Sequence, residues 1–114
     1  MAYLKSYSGQ ILLRIENNQI KEYNGMTKYQ IKDRRITDFS GRTLYVIDVD
    51  KIKDFSGRTM IYITSNQVKE FSGRTIATFD SSYIRDFSGM IQYRLDGFFS
   101  RIELMAILAI LYAA

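Results

Sequence analysis

Six glycines stand sixteen residues apart, at Gly9, Gly25, Gly41, Gly57, Gly73 and Gly89. Around each lies a version of one phrase, clearest as Ile52-Lys53-Asp54-Phe55-Ser56-Gly57-Arg58-Thr59. A sixteen-residue unit is too short to bury a core of its own, so neighbouring units must pack on one another. This constraint shapes the architecture far more tightly than it shapes the chemistry.

Two, four and six residues after each glycine the side chains repeat a theme: Thr43-Tyr45-Ile47, Thr59-Ile61-Ile63, Thr75-Ala77-Phe79 and their counterparts. Alternate residues of a strand share a face, so an apolar strand face recurs six times. A second short strand runs up to each glycine, as in Ile20-Lys21-Glu22-Tyr23 and Ile84-Arg85-Asp86-Phe87. The Ser-Gly between the two reads as a two-residue hairpin turn, with glycine supplying the positive φ. That turn predicts Ile52 opposite Ile61, Asp54 opposite Thr59, and Phe55 opposite Arg58, stacked on the outside. Polar stretches such as Glu16-Asn17-Asn18-Gln19 and Thr64-Ser65-Asn66-Gln67 suit tight turns at the other ends.

After Gly97 the pattern changes. Ser100-Arg101-Ile102-Glu103 is a capping box, followed by Leu104 to Tyr112, apolar on every side of a helix. Such a helix has to be buried, and it falls short of the ~20 residues needed to cross a bilayer. A twelve-stranded barrel is too wide for its own side chains to fill, since about eight strands is the limit. The helix and the strands match in length at roughly 20 Å. The expected fold is therefore mainly β with one C-terminal helix. Six 16-residue β-hairpin repeats (residues 1–98) form a twelve-stranded antiparallel meander, closed into a barrel around a buried hydrophobic helix (99–114), in a single domain of 1–114. An open hairpin array with the helix on one face, dimerising through it, is the alternative.

The phrase Asp-Phe-Ser-Gly-Arg-Thr followed by Tyr-x-Ile, with an apolar C-terminal helix, resembles the bacterial "beta-flower" repeat proteins of unknown function. The expected architecture, with recurrent turns such as Asp38-Phe39-Ser40-Gly41, also resembles the Tubby, LURP-one and phospholipid-scramblase group. There a twelve-stranded barrel surrounds a hydrophobic C-terminal helix, and in Tubby proteins a basic surface binds phosphoinositide headgroups. That likeness is of architecture and carries no residue across to this much shorter chain.

Composition narrows the chemistry. There is no Cys and no His, which removes the thiolate, the commonest general base and the commonest metal ligand. The serines before the glycines have no candidate base beyond carboxylates already used by the turns. A non-enzymatic chain is expected, with no cofactor and no metal; a carboxylate-dependent hydrolase is the least favoured reading. The start of the chain lacks the apolar stretch of a signal peptide, so the cytoplasm is the expected compartment. Net charge is +4. Arg42, Arg58 and Arg74 follow consecutive turns and would form an arc on one rim, with Lys53, Lys69 and Arg85 on the same outer face one pair further along. Such an arc suits phosphate or an anionic lipid headgroup, whereas the plainer role is pairing with neighbouring carboxylates. The recurrent Glu22, Asp38, Asp54, Glu70 and Asp86 are expected to accept hydrogen bonds within their own turns, opposite the threonines, in preference to holding a cation. Phe39, Phe55, Phe71, Phe87, Tyr7 and Tyr23 would form a belt at the turn end, packed between hairpins, and nucleic acid is not the expected partner. The favoured reading is a small binding or scaffolding module of unknown ligand, homo-oligomeric or partnered by another protein. The alternative is an anion-binding module using the arginine rim.

Overall fold

The computed structural model describes residues 2–113. Twelve strands follow in order: β1 (Ala2–Ser6), β2 (Ile11–Glu16), β3 (Gln19–Glu22), β4 (Thr27–Lys32), β5 (Arg35–Asp38), β6 (Thr43–Asp48), β7 (Lys51–Asp54), β8 (Thr59–Ile63), β9 (Gln67–Glu70), β10 (Thr75–Phe79), β11 (Tyr83–Asp86) and β12 (Ile91–Asp96). One helix, α1 (Arg101–Tyr112), ends the chain. Every strand pairs antiparallel with its sequence neighbours, and β1 pairs with β12, closing the barrel. The closed barrel, and not the open array, is the fold. Its Cα extents of 35 × 34 × 20 Å make it a disc.

The inward positions predicted from the period of two are buried. Six register pairs circle the interior: Ile15 with Ile20, Ile31 with Ile36, Ile47 with Ile52, Ile63 with Val68, Phe79 with Ile84, and Leu4 with Leu95 across the closure. None of these twelve side chains is more than 7% exposed. They surround α1, where Met105, Ala106, Ile107, Leu108 and Ala109 are buried in succession, so every side of the helix is covered. The capping box forms as read: the Glu103 amide donates to Ser100 Oγ at 3.2 Å and the Ser100 amide to Glu103 Oε1 at 3.0 Å. Because β12 runs away from the glycine turns, α1 enters at the opposite end and its C-terminus points back toward them. Tyr112 accordingly lies near Tyr93 and Asp86, and burial, more than these neighbours, pushes its hydroxyl up to about 12.

The polar-end turns are tight as expected, whereas the glycine-end turns are one residue longer than the sequence reading predicts. The two-residue turns sit at the polar end, where Glu16 faces Gln19 around Asn17 and Asn18, both at positive φ (52° and 63°). The glycine end carries three-residue loops. The Asp54 amide donates to the Arg58 carbonyl at 2.9 Å and the Gly57 amide to the Asp54 carbonyl at 3.0 Å. Gly57, at φ 92°, then acts as the bulge residue of a type I turn. Asp54 therefore faces Arg58, Thr59 faces Lys53, and the ladder shifts between Ile52 and Lys53, while Ile52 still meets Ile61 as expected. The predicted pairs of Asp54 with Thr59 and Phe55 with Arg58 do not form, because the extra residue carries Phe55 onto the tip of the loop.

Two outcomes test this packing. Leu108→Asp, which puts a carboxylate at a fully buried site in the shared core, should abolish the cooperative melt followed by circular dichroism; an unchanged melt would remove α1 from the core. Val49 holds φ 56° while largely exposed, a backbone conformation that costs an L-residue roughly 1–2 kcal/mol. Val49→Asn should raise the melting temperature by about 4–8 °C per kcal/mol relieved.

Candidate functional site

The Asp-x-Ser-Gly turns are built around their carboxylates. Asp54 Oδ1 accepts from the Ser56 amide (2.9 Å), the Ser56 hydroxyl (2.6 Å) and the Arg58 amide (3.0 Å). Asp38 and Asp86 repeat this arrangement with Ser40 and Arg42, and with Ser88 and Met90. Glu70, one methylene longer, takes the Ser72 hydroxyl at 2.5 Å and an Arg74 guanidinium N–H at 3.3 Å. The expected local role of these carboxylates is the observed one: Asp38, Asp54 and Asp86 accept from turn amides as expected, and serine hydroxyls stand where threonine hydroxyls were expected. The serine hydroxyl first, then the amide two residues beyond it, holds Asp38, Asp54 and Asp86 below the ordinary carboxylate range. Among the described residues no group of three acidic side chains converges in a way that would hold a metal ion.

Arg42, Arg58 and Arg74 do form the predicted arc, on three consecutive loops, with side chains between 76% and 79% exposed. Each also reaches the carboxylate of its own loop, at 3.6, 3.8 and 3.3 Å. Five carboxylates stand on the six loops against these three arginines, so the rim itself is slightly acidic. Lys53 and Arg85 lean the other way: Lys53 Nζ pairs with Asp48 at 3.0 Å and Arg85 with Asp80 at 3.0 Å, both at the polar-turn end, and Arg85 also lies over Tyr83. Lys69 faces Tyr62 and Thr75 across its neighbours and has no ion pair among the described residues. The six predicted cations are thus divided between a rim and the barrel wall.

The aromatic residues depart furthest from expectation. Tyr7, Tyr23, Phe39, Phe55, Phe71 and Phe87 each occupy the first loop position and are between 66% and 81% exposed, so they stand in solvent and do not pack as buried strand aromatics. Met26 and Met90, both 66% exposed, join them on the same rim. Between successive loops lie notches. Arg42, Thr43 and Leu44 with Phe55 line one of about 430 Å³; Arg58, Thr59 and Met60 with Phe71 line one of about 320 Å³; Arg74, Thr75 and Ile76 with Phe87 line one of about 360 Å³. Each therefore has an apolar wall residue, a guanidinium and the ring of the next loop. The signal for the missed wall residues was available, since Leu44, Met60 and Ile76 are apolar at a position that points outward.

Lowered carboxylate pKa values give the turns a pH dependence. Their stabilisation is complete above the unfolded value near 3.8 and is lost as pH falls through the lower folded values. Melting temperature should drop steeply below about pH 4, and a variant with Asp38→Asn, Asp54→Asn and Asp86→Asn should show a shallower acid limb.

The family model described as 5-fold beta-flower protein matches residues 2–93 of this chain. No curated protein and no solved structure matches it.

Proposed function

The chain belongs to the 5-fold beta-flower protein family, and from that premise we propose that it is a non-enzymatic binding module whose contact surface is the aromatic crown at the glycine-turn end. The observation that carries this reading is the exposure of six loop-tip aromatics together with two methionines on one rim. Exposed apolar groups gathered at one place, bordered by polar ones, are characteristic of protein contact surfaces, and Tyr, Phe, Met and Arg are the residues enriched there. The notches between loops offer repeated pockets for side chains of a partner, whether a second copy of this chain or another protein.

Two features favour a protein over an anionic lipid or phosphate on this rim. Arg42, Arg58 and Arg74 already face their own carboxylates, and the turns hold Asp38 and Asp54 below the ordinary carboxylate range. Catalysis has little to work with, because the acidic groups that would serve as acid or base are occupied by serine hydroxyls and amides. No helix among the described residues is long and apolar enough to cross a membrane.

A fourfold variant, Phe39→Ser with Phe55→Ser, Phe71→Ser and Phe87→Ser, separates contact from packing. Each change is at a solvent-exposed tip and should alter stability by no more than ~0.5 kcal/mol. Sedimentation velocity over a wide concentration range, with crosslinking from position 55, should show association for the parent chain and its loss in the variant. A large fall in melting temperature would sink the reading, and identical sedimentation of a monomeric parent and variant with no crosslinked product would exclude a second copy of this chain as the partner.

A further inference from the structure

The barrel wall holds a second feature, which meets the crown only at Tyr23. Around the outside, six cross-strand pairs occupy equivalent places: Gln30 with Thr37, Val46 with Lys53, Tyr62 with Lys69, Thr78 with Arg85, Arg14 with Lys21, and Arg94 with Lys5. The first four never set like charges together. The last two do, and they flank the closure on four adjacent strands, β12, β1, β2 and β3. Like charges directly opposite across a ladder destabilise a sheet, so these pairs work against the fold that contains them.

Neither arginine is neutralised. Lys5 reaches Asp96 at 2.7 Å and Lys21 reaches Glu16 at 3.8 Å, whereas Arg14 and Arg94 have no ion pair among the described residues. The Nε of Arg14 is buried without a hydrogen-bond partner, and a buried donor left unpaired is rare enough to call for an explanation. Arg14 and the exposed Tyr23 both line a cavity of about 470 Å³, together with Gly9, Gln10 and Ile11.

We propose that this wall binds a single strand of nucleic acid, its phosphodiesters held by Arg94 and Arg14, with Lys5 and Lys21 already paired to Asp96 and Glu16 beside them, and one base stacked on Tyr23. Four neighbouring strands span roughly 14 Å around a convex surface. A flexible chain follows that curve, whereas a flat bilayer meets it along a line. Cations beside an accessible ring are the pairing of backbone contact and stacking that single-strand binders use.

The test is fluorescence anisotropy with a labelled mixed-sequence 12-nucleotide DNA across a salt series, on the parent chain, on R14Q/R94Q, and on K53Q/K69Q as a variant with the same charge removed elsewhere on the wall. Two phosphate contacts give a slope of log affinity against log salt of about −1.4, falling to near zero in R14Q/R94Q and unchanged in K53Q/K69Q. R14Q/R94Q should also melt at or above the parent temperature, since it relieves repulsion; a clear drop would make both arginines structural and overturn the proposal. So would equal weakening by the two variants, absence of saturable binding at low salt, or competition by polyglutamate or anionic vesicles as effective as unlabelled oligonucleotide. The fourfold phenylalanine variant leaves Tyr23 in place and should bind the oligonucleotide like the parent.

Discussion

Everything in this molecule depends on one mutual burial: an apolar helix with no polar side, and a barrel too wide to fill itself. The girdle of twelve inner residues from Leu4 to Leu95 shares one buried cluster with Met105 to Ala109 of α1, completed by Ala2, Ile61 and Ala77. Neither part has a core alone, so the hydrophobic driving force is available only when both are in place. The arrangement also decides where function can sit. With its interior full, the barrel offers a ligand only its two ends and its wall, and the surfaces argued above are one of each.

The architecture was legible because it rests on periodicities that a chain states directly. Spacing of sixteen marked the hairpins, alternation marked their inner faces, and the capping box Ser100–Glu103 marked the start of the helix. The loop length was not legible, since Ser-Gly serves both a two-residue turn and the last two positions of a three-residue loop, and the bulge at Gly57 shows itself only in the ladder. That one residue moved Phe55 from a stacked wall position to the tip, and so changed the belt from packing to exposure. The wall cations were hidden for another reason. Lys5 and Arg94 are 89 positions apart in the chain and become neighbours only through closure, which no local pattern reports.

The repeats agree where the fold needs them to and differ where it does not. Every unit keeps an apolar inner pair, and most keep a carboxylate before the loop and a serine within it. A wall cation and an acid at the next polar turn recur as Lys21 with Glu16, Lys53 with Asp48, and Arg85 with Asp80. Departures then stand out: Thr64 in place of an acid leaves Lys69 without an ion pair among the described residues, Met26 and Met90 replace arginine on the rim, and Arg14 and Arg94 replace neutral residues on the wall. In a repetitive chain the conserved grammar describes the scaffold, and the exceptions are where a particular partner leaves its mark.

The closure between β1 and β12 has a consequence for biosynthesis. Apart from that seam, each strand finds its partners next to itself in the chain, so hairpins can form as they leave the ribosome. The pairs of Leu4 with Leu95 and Lys5 with Asp96 cannot, and the helix that fills the centre follows all twelve strands in the chain. A growing chain therefore presents a half-built ring with an open edge at β1 and an uncovered apolar lining, and it can complete neither until β12 and α1 have been made. Folding of this protein is a race between the arrival of those two elements and any other strand or apolar surface that reaches the open ring first.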